Sequence, residues 1–171
     1  MIVIKDIGPT LPKVDPELVA HVLGAEPSRV PWPKLWMMIA ATIANKRSLD
    51  NRLKVGAIVV PEDNTGIIAL GYNGGPKGLY NVPQSLEPGK SQFVHAEANA
   101  LIKCPYHYPV KKHMYVTHSP CQECARMIIN AGIARVVYGE LYRDTSSIEL
   151  LRSAGIETYS VDEAILIAES R

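Results

Sequence analysis

The chain has 171 residues, 47% of them hydrophobic and 20% charged, with lysine plus arginine against aspartate plus glutamate at 18 to 17. That size accommodates one globular domain with or without an appendage, and the near-neutral balance gives no basic footprint for a long nucleic acid. No apolar run reaches the length of a membrane span, and "MIVIKDIGPT" lacks the basic start and long apolar stretch of a signal peptide.

Residues 1–33 contain six of the thirteen prolines, which breaks any long regular element. Within them "DPELVAHVLGA" (15–25) suits a short helix, and the whole stretch reads as an N-terminal arm packed on the body or on a neighbouring subunit. The pattern turns regular at Lys34, where the main domain, 34–171, is expected to begin. "KLWMMIAATIANKR" (34–47) is apolar on most faces and predicts a largely buried helix, or one that meets another subunit. "VGAIVV" (55–60) and "IIALGYN" (67–73) predict two strands joined through "EDNTG" (62–66) as a hairpin. A Pro/Gly-rich loop over 74–92 leads to a helix starting near His95. Then come a strand at 113–118, a helix at 121–132, a strand at 134–139, a helix at 146–155, a strand at 157–160 and a last helix at 161–171. Strand and helix alternate from residue 67 onward, which favours parallel pairing with helices on both faces. The expected architecture is a three-layer α/β/α sandwich around a five-stranded mixed sheet.

Three cysteines, two in Cys-x-x-C spacing, argue for a reducing compartment, by default the cytoplasm, and for a metal or redox site. Cys121 and Cys124 are three apart, so a helix puts them on one face, and Pro120 suits the entry to that helix. Thiolates at a helix N-terminus are stabilised by unpaired N–H groups and are good ligands for Zn²⁺. His95 is the candidate third ligand. Cys104 lies nine residues after His95, about 13 Å along a helix if that helix runs unbroken, too far to share one ion. His107, His113 and His118 stay open as fourth ligands, His118 most of all. A His/Cys/Cys set with one open position is the pattern of a catalytic zinc.

Glu97 tests that reading. On a regular helix its side chain would point about 200° away from His95. The two converge only if His95 stands at the very start of the helix, reaching past its end. Glu97 then sits beside the open position as a proton carrier rather than a ligand.

H-x-E followed by P-C-x-x-C resembles the zinc-dependent nucleobase deaminases, and within them the deoxycytidylate (dCMP) deaminases. The resemblance runs from about Ile39 to Ser160 and rests on "RSLDNRLKVGAIVV", "GYNGGPKG", "HAEANAL", "MYVTHSPCQECARMIINAGI" and "LRSAGIE". It implies a cytidine deaminase-like fold and hydrolysis of dCMP to dUMP and ammonia by zinc-activated hydroxide. It also implies His95, Cys121 and Cys124 as metal ligands and Glu97 as the catalytic acid and base. Ala96 and Ser119 would orient the pyrimidine edge, and Asn73 the sugar hydroxyl and base. Arg52, with Ser48 and Tyr142, would hold the 5′-phosphate, Arg143 being a weaker candidate. Asp50 stands where the family usually has cysteine. Many relatives are homohexamers activated by dCTP and inhibited by dTTP with Mg²⁺; Gly75 and Lys77 lie in the matching loop.

Other readings stay open on sequence. A tRNA adenosine deaminase shares the metal and glutamate but needs a basic track, which a net charge of +1 does not suggest. A free-cytidine deaminase usually has cysteine at the position of His95. A thioredoxin-like Cys-x-x-C leaves "HAEANA" unexplained, and a non-catalytic zinc module leaves Glu97 without a task.

Overall fold

Helix α1 spans Trp32–Arg47 and starts two residues before the expected Lys34. Pro33 sits in its first turn, where a missing N–H costs nothing and the fixed φ is already helical. Trp32 extends the helix by stacking on Trp36, ring centroids 5.1 Å apart. The computed structural model describes residues 29–85, 87, 91–142 and 144–170. The expected helix at 15–25, Arg143 and all but the last few residues of the expected arm lie outside them. Residues Pro31–Arg171 cluster as a single unit.

After α1 come β1 (Gly56–Pro61), β2 (Ala69–Tyr72), α2 (Ala96–Leu101), β3 (Lys112–His118) and α3 (Gln122–Asn130). The chain continues through β4 (Ile133–Glu140), α4 (Ser146–Ser153), β5 (Glu157–Ser160) and α5 (Val161–Glu169). The five strands form one sheet in the order β2-β1-β3-β4-β5. As the alternation of strand and helix implied, β3, β4 and β5 pair in parallel. β1 is antiparallel to both its neighbours, so β2, α2 and β3 make a crossover that passes β1.

Period-two alternation divides the strand residues between two cores. Ala57, Val59, Met114, Val116, Val136 and Tyr138 face α2, α3 and α4, meeting Ala96, Ile128 and Leu151. Ile58, Val60, Tyr115 and Val137 face the other way, onto Trp36 and Ala40 of α1 and Ala164 of α5. Three layers result. Two glycines allow the layers to approach. A Cβ at Gly56 would lie 2.1 Å from the Ala40 carbonyl oxygen of α1, and one at Gly71 would lie 2.1 Å from the Ala96 carbonyl oxygen of α2. No helix among the described residues is long and apolar enough to cross a membrane.

Candidate active site

Parallel α/β sheets put their functional crevice beyond the carboxyl ends of the strands, and this chain does so. A cavity of about 320 Å³ is lined by residues 50–53 ahead of β1, Asn73 just after β2, and His95, Ala96 and Glu97 at the start of α2. The ends of β3 and β4 contribute His118, Ser119 and Tyr142, and the entry to α3 contributes Cys121.

His95 is the N-cap of α2, with extended backbone at φ −65° and ψ 154°. That conformation lets its ring reach past the helix end while Glu97 stays in the first turn, 4% exposed. Asn99, about one helical turn after His95 in the same "HAEANA" stretch, locks this arrangement. Its Nδ2 donates to the Tyr72 carbonyl at 2.9 Å and the Val94 carbonyl at 3.3 Å, tying α2 to the end of β2. Cys121 is the N-cap of α3, its Sγ accepting the Cys124 N–H at 3.5 Å. Both helices therefore present the side chains of their opening residues to one spot.

There His95 Nδ1 lies 3.5 Å from Cys121 Sγ and 3.4 Å from Cys124 Sγ. Tetrahedral zinc with Zn–S near 2.3 Å and Zn–N near 2.05 Å requires an N···S edge of about 3.6 Å. The donor set fits the ion in both chemistry and spacing. Among the described residues these are the one group of three or more His, Cys, Asp or Glu side chains that could hold a metal ion. A three-ligand set leaves the fourth tetrahedral position to water or substrate.

The electrostatics follow from this crowding. Cys121 is pushed down to about 3, chiefly by a hydrogen bond from the Cys124 thiol and also by His95. Cys124 is pushed up because it gives that bond and is buried. His95 is raised by its hydrogen bond to Cys121 against the effect of burial. Burial raises the Glu97 carboxyl above the usual carboxylate range. A carboxyl that holds its proton more tightly than usual is suited to passing one on.

The other expected residues divide. Arg52, Asn73, Ala96, Ser119 and Tyr142 all line the cavity, Arg52 exposed and Ser119 with its Oγ accepting the Tyr142 N–H at 2.7 Å. Ser48 is 1% exposed and absent from the lining; its Oγ accepts the Asp50 N–H at 3.2 Å. Gly75 and Lys77 also lie off the cavity, the Gly75 N–H being given to Asn81 Oδ1 at 2.8 Å. Asn73 is 7% exposed and heavily engaged: Oδ1 accepts the Val55 N–H at 2.8 Å, while Nδ2 donates to the Leu53 carbonyl at 2.8 Å and Asp50 Oδ2 at 3.3 Å. His107 and His113 are not in the metal cluster.

Much of the lining lies outside the expected residues, and two of those positions bear on the site. His118 stands in the wall rather than among the ligands, its Nε2 3.4 Å from Glu140 Oε2. Asp50 is the other, and its position two before Arg52 was the available signal. Cys104 does stay out of the cluster, but not for the expected reason: α2 ends at Leu101, so no unbroken helix carries the chain from His95 to Cys104.

Residues 30–140 match the model of the cytidine and deoxycytidylate deaminase zinc-binding region. The deoxycytidylate deaminase of Mycobacterium phage D29 is 39% identical over 126 residues, covering 65% of this chain and 96% of that protein. The human deoxycytidylate deaminase is 34% identical over 123 residues, covering 67% of this chain and 68% of that one. Among solved structures, the dCMP deaminase of cyanophage S-TIM5 in complex with dCMP and dUMP superposes with a TM-score of 0.65 at 34% identity, over 85% of this chain and 98% of that chain. With 111 of its 171 residues matched by that family model and a TM-score of 0.65 to a dCMP deaminase fold, this chain belongs to the cytidine and deoxycytidylate deaminase family.

Proposed function

We propose that this chain catalyses the hydrolytic deamination of dCMP to dUMP and ammonia. The observation that carries the reading is Glu97, buried in a cavity wall that it shares with His95 and Cys121 of the metal-fitting cluster. The names of the relatives and the nucleotides held by the cyanophage enzyme support the choice of dCMP.

His95, Cys121 and Cys124 would hold the zinc, which when bound would supply the Lewis acidity that makes water a nucleophile near neutral pH. Glu97 does the proton work. It takes a proton from the attacking water and passes it to ring N3, which makes C4 electrophilic. The water oxygen bonds to C4, Glu97 takes the proton still on that oxygen and delivers it to the amino nitrogen, and the C4–N bond breaks to release ammonia as the C4 carbonyl forms. Backbone groups at Ala96 and Ser119 orient the base, Asn73 shapes the sugar subsite, and Arg52 with Tyr142 meets the 5′-phosphate. Ser48, buried as it is, serves that end through the turn it supports.

The finer readings, the oligomer and effectors by resemblance and the domain start and compartment from sequence pattern and cysteine usage, are part of the same proposal. The deaminase domain begins near residue 34 behind an N-terminal arm, the protein works in the cytoplasm, and it assembles as a homohexamer. dCTP and dTTP, with Mg²⁺, act through the loop at Gly75 and Lys77, where the exposed Lys77 is the more available group. The test is ammonia release from dCMP, CMP, dCTP and cytidine, with and without dCTP or dTTP as effector. Turnover of dCMP well above that of cytidine is expected; equal turnover, or none, would overturn the reading.

A further inference from the structure

The polar groups around the sugar end of the cavity are unevenly committed. In Asn73, both Nδ2 hydrogens and Oδ1 are engaged with Leu53, Asp50 and Val55, as described above. In Asp50, Oδ1 accepts two backbone N–H groups, from Arg52 at 2.8 Å and from Leu53 at 3.2 Å. These bonds form a tight turn that fixes the carboxylate in place. Asp50 Oδ2 receives only the longer contact from Asn73, at 3.3 Å. A carboxylate oxygen can accept two hydrogen bonds, so Oδ2 retains acceptor capacity while Asp50 itself lines the cavity.

We infer that Asp50 is the specificity residue for the sugar, accepting the proton of the 3′-hydroxyl of a bound 2′-deoxynucleoside monophosphate, and that Asn73 is a positioning residue that aims it. The inference rests on the functional reading above. A 2′-deoxyribose carrying a 5′-phosphate has a single free hydroxyl, at C3′, and a fixed carboxylate is the strongest acceptor such a hydroxyl can meet. The sign of the charge has a second effect. A nucleotide whose O3′ continues into a phosphodiester would bring an anion against Asp50, so the same group selects free mononucleotides against positions inside a strand.

The experiment compares kcat/KM for dCMP and for 2′,3′-dideoxycytidine 5′-monophosphate, which lacks only that hydroxyl, in the wild type, Asp50→Ala and Asp50→Asn. The wild type should favour dCMP by about 10- to 100-fold. In Asp50→Ala the preference should collapse towards unity, chiefly through loss of activity on dCMP. Asp50→Asn keeps an oxygen for the two backbone N–H groups, so it preserves the turn and serves as the readout if the alanine variant does not fold; it too should lose most of the preference. A structural role alone would lower activity on both substrates equally and leave the ratio intact, which would overturn the inference, as would a wild type indifferent to the hydroxyl. Failure of the wild type to deaminate dCMP at all would instead strike at the functional reading and take this inference with it.

Discussion

β3 joins two ends of the molecule that both bury ionisable groups, to opposite purposes. At its start, Lys112 is 4% exposed and its Nζ donates to the carbonyls of Ala131 at 2.7 Å, Tyr106 at 3.1 Å and Pro105 at 3.3 Å. All three donors of the ammonium are used, and the result is a clamp between a loop and the end of α3. At the far end, His95, Glu97 and Cys121 line a cavity, and the buried Cys124 completes the cluster with its ligand atom close to those of His95 and Cys121. Burial alone therefore does not mark a functional group. A buried charge whose partners are complete holds structure; a cluster that shares protons and opens on a cavity does chemistry.

That contrast can be broken most sharply at the metal. Cys124→Ala should abolish deamination and drop bound zinc well below one equivalent, measured by elemental analysis of the purified protein. Zinc retained at full occupancy would refute the ligand assignment. Glu97→Gln comes next, with zinc retained and kcat reduced by about 10²–10⁴-fold. A variant that loses zinc along with activity would make Glu97 a structural prop rather than a proton carrier.

The opposite end should respond in stability rather than turnover. Lys112→Met leaves three carbonyls without their donor and should cost about 1–3 kcal/mol in denaturant unfolding, with kcat/KM unchanged. A fall in kcat/KM at full folding would blur the division between the two ends. The smallest effect is a pH slope at His113. Burial and then the Arg135 guanidinium hold its pKa down at about 4, against opposing pulls from Glu157 and Glu62, with Lys111 adding the smallest downward push. Between an ordinary pKa near 6.5 and that value the unfolded chain binds more protons than the native one. Stability is therefore full above about pH 6.5 and declines as pH falls through 4; unfolding free energies of His113→Leu should show a shallower decline over that window.

Much of this was legible in the sequence because it is local. The strand and helix segments, the Cys-x-x-C at a helix start and the requirement that His95 precede its helix all follow from spacing within a few residues. Sheet order was not: nothing between Gly56 and Tyr72 states that β1 lies between β2 and β3. The polar bonds around Asn73 were equally hidden, since they join it to Asp50, Leu53 and Val55, about twenty positions away. Ser48 looked like an available hydroxyl at a helix end, and only packing reveals that it is enclosed. The early end of α2 is a tertiary outcome as well, for no glycine or proline punctuates "NALIK" (99–103).

The hydrogen atom at Gly71 has a consequence for how this molecule can change. α2 rests its Ala96 carbonyl where a methyl group would stand, and Ala96 is flanked in sequence by His95 and Glu97. Even alanine at 71 must lift that helix, displacing imidazole and carboxyl together relative to the two sulfurs on α3. Position 71 thus acts as a spacer gauge: attempts to stiffen β2 there with a better strand former would detune the reacting geometry before they unfolded anything.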